Sequence, residues 1–152
     1  MGNTLSKTLT DTATNKAQLW QWTYNAQQLV ETATEPNGAA TSYTYNPFGN
    51  LTKSVNALGH ETLYSYDSAN RVTSTTAPNG LVTSYTYDAR DRLLTQTVVG
   101  QLTTLTYKPF GTVETITLPT GLVLTYTYDA AHRLTGWSNN RSESGTYTLD
   151  AM

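Results

Sequence analysis

Apolar and polar residues alternate along most of this chain, and the alternation restarts on a fixed schedule. In residues 80–100, Leu81, Thr83, Tyr85 and Tyr87 fall on one side of an extended segment, while Val82, Ser84 and Thr86 fall on the other. Period-two alternation rich in Tyr, Thr and Val predicts a strand. Residues 92–99 are again β-branched and apolar, and they predict the returning strand. Each such phrase is therefore expected to form one β-hairpin. No segment shows helical spacing, and the expected fold class is all-β.

The phrase recurs. Its second aromatic position is held by Tyr24, Tyr45, Tyr66, Tyr87, Tyr107, Tyr128 and Leu149, at intervals of 21, 21, 21, 20, 21 and 21 residues. So regular a period is the mark of a repeat array. Turn chemistry recurs in the same register. An Asp or Asn follows the marker at Asn25, Asn46, Asp67, Asp88, Asp129 and Asp150, with Lys108 the exception. Such side chains nucleate turns by accepting backbone hydrogen bonds. Pro47 and Pro109 supply the fixed φ of a type I turn. Gly49, Asn70, Asp91 and Gly111 stand where a left-handed residue is needed. Gln28 and His132 suit that slot less well, so their turns are expected to differ. An apolar residue then restarts the strand at Val30, Leu51, Val72, Leu93, Val113 and Leu134. The opposite turns carry Gly38, Gly59, Gly80, Gly100 and Gly121, each seven residues before a marker.

Tyr85-Thr86-Tyr87-Asp88 through Arg92-Leu93, and Tyr126-Thr127-Tyr128-Asp129 through Arg133-Leu134, resemble the YD repeat. This is the repeat of bacterial Rhs proteins and of the related teneurins and insecticidal toxin-complex proteins. The resemblance implies tandem hairpins of about 21 residues joined in an open, twisted or spiralling antiparallel sheet, part of a β-shell. It further implies a non-enzymatic scaffold that encloses a toxin polypeptide, in a bacterial protein that is secreted or displayed at the cell surface. The expected organisation is a degenerate first repeat over residues 1–19 and about six repeats over 20–152, cut from a longer array. Leu149-Asp150-Ala151-Met152 stops inside a turn, and Met1-Gly2-Asn3 reads as the continuation of one. The self-cleavage motif of the family, with its Asp-Pro-x-Gly core, has only superficial counterparts in Asn46-Pro47-Phe48-Gly49 and Lys108-Pro109-Phe110-Gly111.

Composition narrows the function classes. A net charge of −2 offers no basic stripe to neutralise phosphates, so no nucleic-acid partner is expected. With no cysteine, disulfides and thiolate metal sites are excluded. No apolar run is long enough to span a membrane, and no signal peptide opens the segment. His60 and His132 stand beside no nucleophile or carboxylate cluster and read as turn residues. Asp67, Asp88, Asp129 and Asp150 suggest a calcium ladder, but one carboxylate per turn falls short of the six or more oxygens calcium takes. No catalytic, cofactor or metal residues are therefore assigned, and no cofactor is expected. The pairs Trp22/Tyr24, Tyr43/Tyr45, Tyr64/Tyr66, Tyr85/Tyr87 and Tyr126/Tyr128 read as sheet packing, with a carbohydrate- or cell-surface-binding ladder as the alternative. Leu105 breaks that ladder. Asn50-Leu51-Thr52 and Asn140-Arg141-Ser142 match the glycosylation pattern by chance, and Trp137 is expected to cover the end of the sheet. Open strand edges should recruit neighbouring repeats or other copies of the chain.

Overall fold

A computed structural model describes residues 2–11 and 13–150. The expected sequence boundaries at Met1, Ala151 and Met152 lie outside the described residues. All the regular structure is antiparallel β, in two compact units.

The first unit, residues 1–81, carries β1 (Ser6–Asp11), β2 (Lys16–Tyr24), β3 (Val30–Thr34), β4 (Ala40–Tyr45), β5 (Leu51–Val55), β6 (Glu61–Tyr66) and β7 (Val72–Thr76). The second, residues 82–152, carries β8 (Val82–Tyr87), β9 (Leu93–Val98), β10 (Gln101–Tyr107), β11 (Val113–Thr117), β12 (Val123–Tyr128), β13 (Leu134–Asn139) and β14 (Ser144–Thr146). Within each unit every strand pairs with its neighbours in chain order, as a run of hairpins does. Residues 1–19 fit the repeat register poorly, yet β1 pairs with β2 as a hairpin, with Ser6 opposite Gln21 and Asp11 opposite Lys16.

The strand that ends at a marker Tyr has a bulge on its partner. Thr23 pairs with Thr32 but Tyr24 pairs with Val30, and the same slip recurs at Tyr45, Tyr66, Tyr87, Tyr107 and Tyr128. A bulge increases the local twist. The register also climbs. Trp22 opposes Ala33 and Ala33 opposes Thr41, which precedes Tyr43 by two residues. In the second unit Leu105 opposes Ile116 and Ile116 opposes Leu124, two residues before Tyr126. Equivalent residues in successive hairpins are thus offset by one full pleat.

One irregularity in the period has a local cause. The turns at Glu35, Asn56, Ala77 and Leu118 close between residues four apart, each with a left-handed Gly. Between β9 and β10, Val98 pairs directly with Gln101, and Val99 (φ 48°) and Gly100 (φ 75°) form a two-residue turn. Positive φ at both central positions is the I′ type, which fits the twist of the flanking strands. One residue is saved, and the interval from Tyr87 to Tyr107 is 20 instead of 21.

Among the described residues no hydrophobic side chain is fully buried. In β4, β6 and β8 exposure alternates residue by residue, with the Tyr side half-buried and the other side open to solvent. The open side carries paired hydroxyls: Thr23 with Thr32 at 2.7 Å, Thr86 with Thr95 at 2.6 Å, and Thr106 with Thr115 at 2.7 Å. Each unit has a half-covered aromatic face and a solvated Ser/Thr face.

Candidate functional site

The recurring residues converge on the turn after each marker Tyr. In the turn at Asp67, the backbone N–H of Asp67 donates to the carbonyl of Arg71 at 3.0 Å, and Asn70 N–H donates back to the carbonyl of Asp67 at 3.1 Å. The Asp67 Oδ1 accepts from Ala69 N–H at 2.9 Å and Arg71 N–H at 3.0 Å. One side-chain oxygen thus satisfies two donors inside the loop. The same pair of side-chain bonds is made by Asn25, Asn46, Asp88 and Asp129, and also by Asn56 and Asn139. Lys108, the exception in sequence, closes its turn with backbone bonds alone and turns its Nζ to Glu114 at 2.7 Å. Gln28 and His132 are a correction to the sequence expectation. Both adopt the left-handed conformation, at φ 63° and 62°, and their turns match the rest.

The Arg of the repeat phrase has a specific partner. Arg71, Arg92 and Arg133 each lie four residues after the turn Asp. Their Nε atoms donate to Asp67, Asp88 and Asp129 at 2.8, 2.7 and 2.7 Å. Arg71 and Arg92 add an Nη2 contact to the same Oδ2, at 2.7 and 2.6 Å, so that one carboxylate oxygen accepts from both guanidinium nitrogens while Oδ1 serves the turn. The Arg92 guanidinium also lies 4.3 Å from the ring centre of Tyr107, the marker of the next repeat. These contacts lower the Asp pKa values. At Asp67 and Asp129 the backbone N–H of the Arg is the main cause and its side chain the next; at Asp88 the Arg92 side chain leads. Of the carboxylates that suggested a calcium ladder, those of Asp67, Asp88 and Asp129 are committed to turns and guanidinium groups, while Asp150 meets Arg133 through its backbone carbonyl.

The marker tyrosines join one hairpin to the last. Tyr45 Oη donates to the carbonyl of Val30 at 2.9 Å, Tyr66 to Leu51 at 2.7 Å, Tyr107 to Leu93 at 2.7 Å and Tyr128 to Val113 at 2.8 Å. Each acceptor is the apolar residue that restarts a strand, two residues short of where the ladder to the following strand begins, at Thr32, Lys53, Thr95 and Thr115. Tyr24 makes the corresponding bond to Thr4 at 2.8 Å. Partial burial, with the charge of the neighbouring Tyr43 or Tyr64 as a second cause, raises the pKa of Tyr45 and Tyr66. The first aromatics of the pairs behave differently. Among the described residues, Tyr43, Tyr64, Tyr85 and Tyr126 make no hydrogen bond through their hydroxyls. Across the strands they face Ser54, Thr75, Gln96 and Trp137, so only the last is an aromatic pair.

The remaining candidates stand apart. His60 is held in its turn by the Asn56 side chain, whose Nδ2 lies 3.5 Å from His60 Nδ1. His132 stacks on Phe110 with ring centres 4.0 Å apart, and Phe110 meets Tyr128 edge-on at 6.1 Å. Its counterpart Phe48 is 78% exposed. The amide of Asn140 binds the carbonyl of Gly121 at 2.8 Å and the N–H of Val123 at 3.1 Å, and Asn50 Nδ2 binds Asn70 at 2.8 Å. Both glycosylation-pattern amides therefore have structural partners. The indole of Trp137 covers Gly145 on β14. A cavity of about 400 Å³ beside β1 and β2 includes Asp11, whose carboxylate is taken by Thr14 Oγ1 at 2.7 Å and Ala13 N–H at 2.8 Å. Among the described residues no cluster of His, Asp or Glu could hold a metal ion, and no helix is long and apolar enough to cross a membrane.

Fold and turn chemistry together define a tandem β-hairpin repeat protein. The RHS Repeat family matches residues 24–62, 45–82, 66–101 and 107–141, and the chain belongs to that family. Among curated proteins none matches. Among solved structures, the crystal structure of TcdB2-TccC3 is similar over 90% of this chain and 9% of its own, with 20% identity and a TM-score of 0.76. The form of TcdB2-TccC3 without its hypervariable C-terminal region matches over 81% of this chain and 7% of its own, at 21% identity and a TM-score of 0.71. The Photorhabdus luminescens Tc holotoxin pore matches over 86% and 10%, at 17% identity and a TM-score of 0.57. At these identities the likeness is one of fold, and the chain spans a tenth or less of those proteins.

Proposed function

We propose that this chain is a stretch of wall from an Rhs-type shell, which in its parent protein encloses a toxin or effector polypeptide and has no catalytic activity of its own. The observation that carries this reading is where the recurring side chains are spent. Tyr closes one hairpin onto the last, Asp or Asn closes the turn, and Arg clamps the Asp. None of these groups is left over for a substrate. The single-layer construction supports the same reading, because a wall needs two open faces and a globular enzyme needs a core.

The climb in register gives the wall a reason to coil. An offset of two residues, about 6.7 Å, for every two strands, about 9.6 Å, corresponds to a strand tilt of about 35°. That lies at the edge of the range seen in closed β-barrels. Export of the parent protein follows from the same reading, and the outermost strands would pair with flanking repeats or other copies. Neither a nucleic-acid partner nor membrane insertion is part of it.

The test is protease protection in the parent protein. The enclosed polypeptide should resist digestion while the wall is intact and be cut once Tyr45→Phe and Tyr66→Phe loosen it. A passenger cut equally fast in both would refute the container reading. A glycan-binding reading retains one specific support, the unbonded hydroxyls of Tyr43, Tyr64, Tyr85 and Tyr126. Specific binding on a glycan array, lost in Tyr64→Ala with Tyr85→Ala without unfolding, would establish it in place of a purely structural role.

A further inference from the structure

Two of the Gly-edge turns carry an Asn-Gly step, Asn37-Gly38 and Asn79-Gly80, where the others carry Leu58-Gly59, Val99-Gly100 and Thr120-Gly121. An Asn before Gly can lose its side-chain amide without any cofactor. The Gly backbone nitrogen gives up its proton and attacks the Asn Cγ, so that a C–N bond forms and ammonia leaves. Water then opens the succinimide to Asp or isoaspartate. Glycine obstructs this least because it has no side chain.

Nothing steric guards the two sites. All four residues are exposed, and a Cβ placed on Gly38 or Gly80 would meet no atom within 4 Å. The fold guards them by hydrogen bonding. Gly38 N–H, the attacking group, donates to the carbonyl of Glu35 at 2.9 Å, while Asn37 Oδ1 accepts from Ala39 N–H at 2.9 Å. In the second turn Gly80 N–H donates to Ala77 at 2.8 Å and Asn79 Oδ1 accepts from Leu81 N–H at 3.0 Å. The guard is the Gly N–H spent on a carbonyl together with the orientation of the Asn side chain, which its Oδ1 bond fixes on a different backbone group without making Cγ less electrophilic.

We propose that Asn37 and Asn79 are latent deamidation sites that their own turns hold shut, so that opening of either hairpin leaves a permanent covalent mark. Isoaspartate adds a methylene to the backbone, so the loop no longer has the length that fixes its register, and the hairpin cannot close as before. Reaction should follow local opening of these turns, not global unfolding alone.

Peptide mapping by mass spectrometry tests this on the whole chain in mildly alkaline buffer, folded and in urea, with hydrogen exchange of the Gly38 and Gly80 amides on the same samples. Both sites should gain an acid in urea, at least about tenfold faster than in the folded chain, and the folded-state rates should rank as the Gly amides exchange. Thr120-Gly121 should stay unchanged throughout. Equal rates in the two states, no reaction in urea, or fast reaction while the Gly amides remain protected would each overturn the proposal.

Discussion

Val99 is the position where side chain and backbone disagree most. It adopts φ 48° with a β-branched side chain that is 70% exposed, so no packing compensates the left-handed conformation. Val99→Asn would create an Asn-Gly I′ turn, and urea unfolding should show a gain of about 1 kcal/mol. Two glycines should show the opposite. A Cβ on Gly136 would lie 2.7 Å from the carbonyl oxygen of Gly145, and one on Gly145 would lie 2.5 Å from the indole nitrogen of Trp137. Gly136→Ala should cost about 1–3 kcal/mol, measurable by thermal melting. Gly145→Ala should cost less, because the indole can swing aside. The slots of Gly49, Asn70 and Gly111 were legible in the sequence because those residue types tolerate left-handed backbone. Gln28 and His132 were not, because they adopt it against their own preference, held by the bonds that close every turn in the row.

At the scale of the element, the turn and its Asp–Arg clamp set the response to acid. The folded pKa values of Asp67, Asp88 and Asp129 lie below the ordinary value, so the ionised form is the one the fold favours. Their stabilisation is present above the unfolded value near ~3.9 and is lost as pH falls through it to the lower folded values. Replacing all three by Asn keeps the Oδ1 acceptor but removes the titration. The acid limb of a pH–stability curve should therefore flatten, and a limb as steep as the parent's would contradict the assignment. Tyr45 and Tyr66 act in the opposite direction: with raised pKa values they stabilise below about 10, and that contribution is lost as pH rises further. Hairpins, turn positions and apolar restarts were readable from period and alternation. The Arg clamp was visible only as part of a phrase, since its partner lies across a loop and its stacking partner Tyr107 lies in the next repeat. The bulge and the two-residue climb were also hidden, because alternation fixes which face a residue takes but not which residue it meets across the strand.

At the scale of the whole molecule, no buried hydrophobic core forms among the described residues, so stability is a sum over neighbouring hairpins. Unfolding should be correspondingly less cooperative than in a globular domain of this length. Transitions followed separately in residues 1–81 and 82–152 should fail to coincide, which site-resolved hydrogen exchange can check. The central claim is that the period builds the wall: marker tyrosines fasten hairpin to hairpin, and their companions two residues earlier do not. The most direct test compares two sets of Tyr→Phe changes by thermal and urea unfolding. Changing Tyr24, Tyr45, Tyr66, Tyr107 and Tyr128 removes the hydroxyl that satisfies a backbone carbonyl in each case. Each change should cost about 0.5–1.5 kcal/mol. Changing Tyr43, Tyr64, Tyr85 and Tyr126 removes only unbonded hydroxyls and should leave stability within about 0.5 kcal/mol of the parent. Equal losses from the two sets, or a larger loss from the second, would contradict the account.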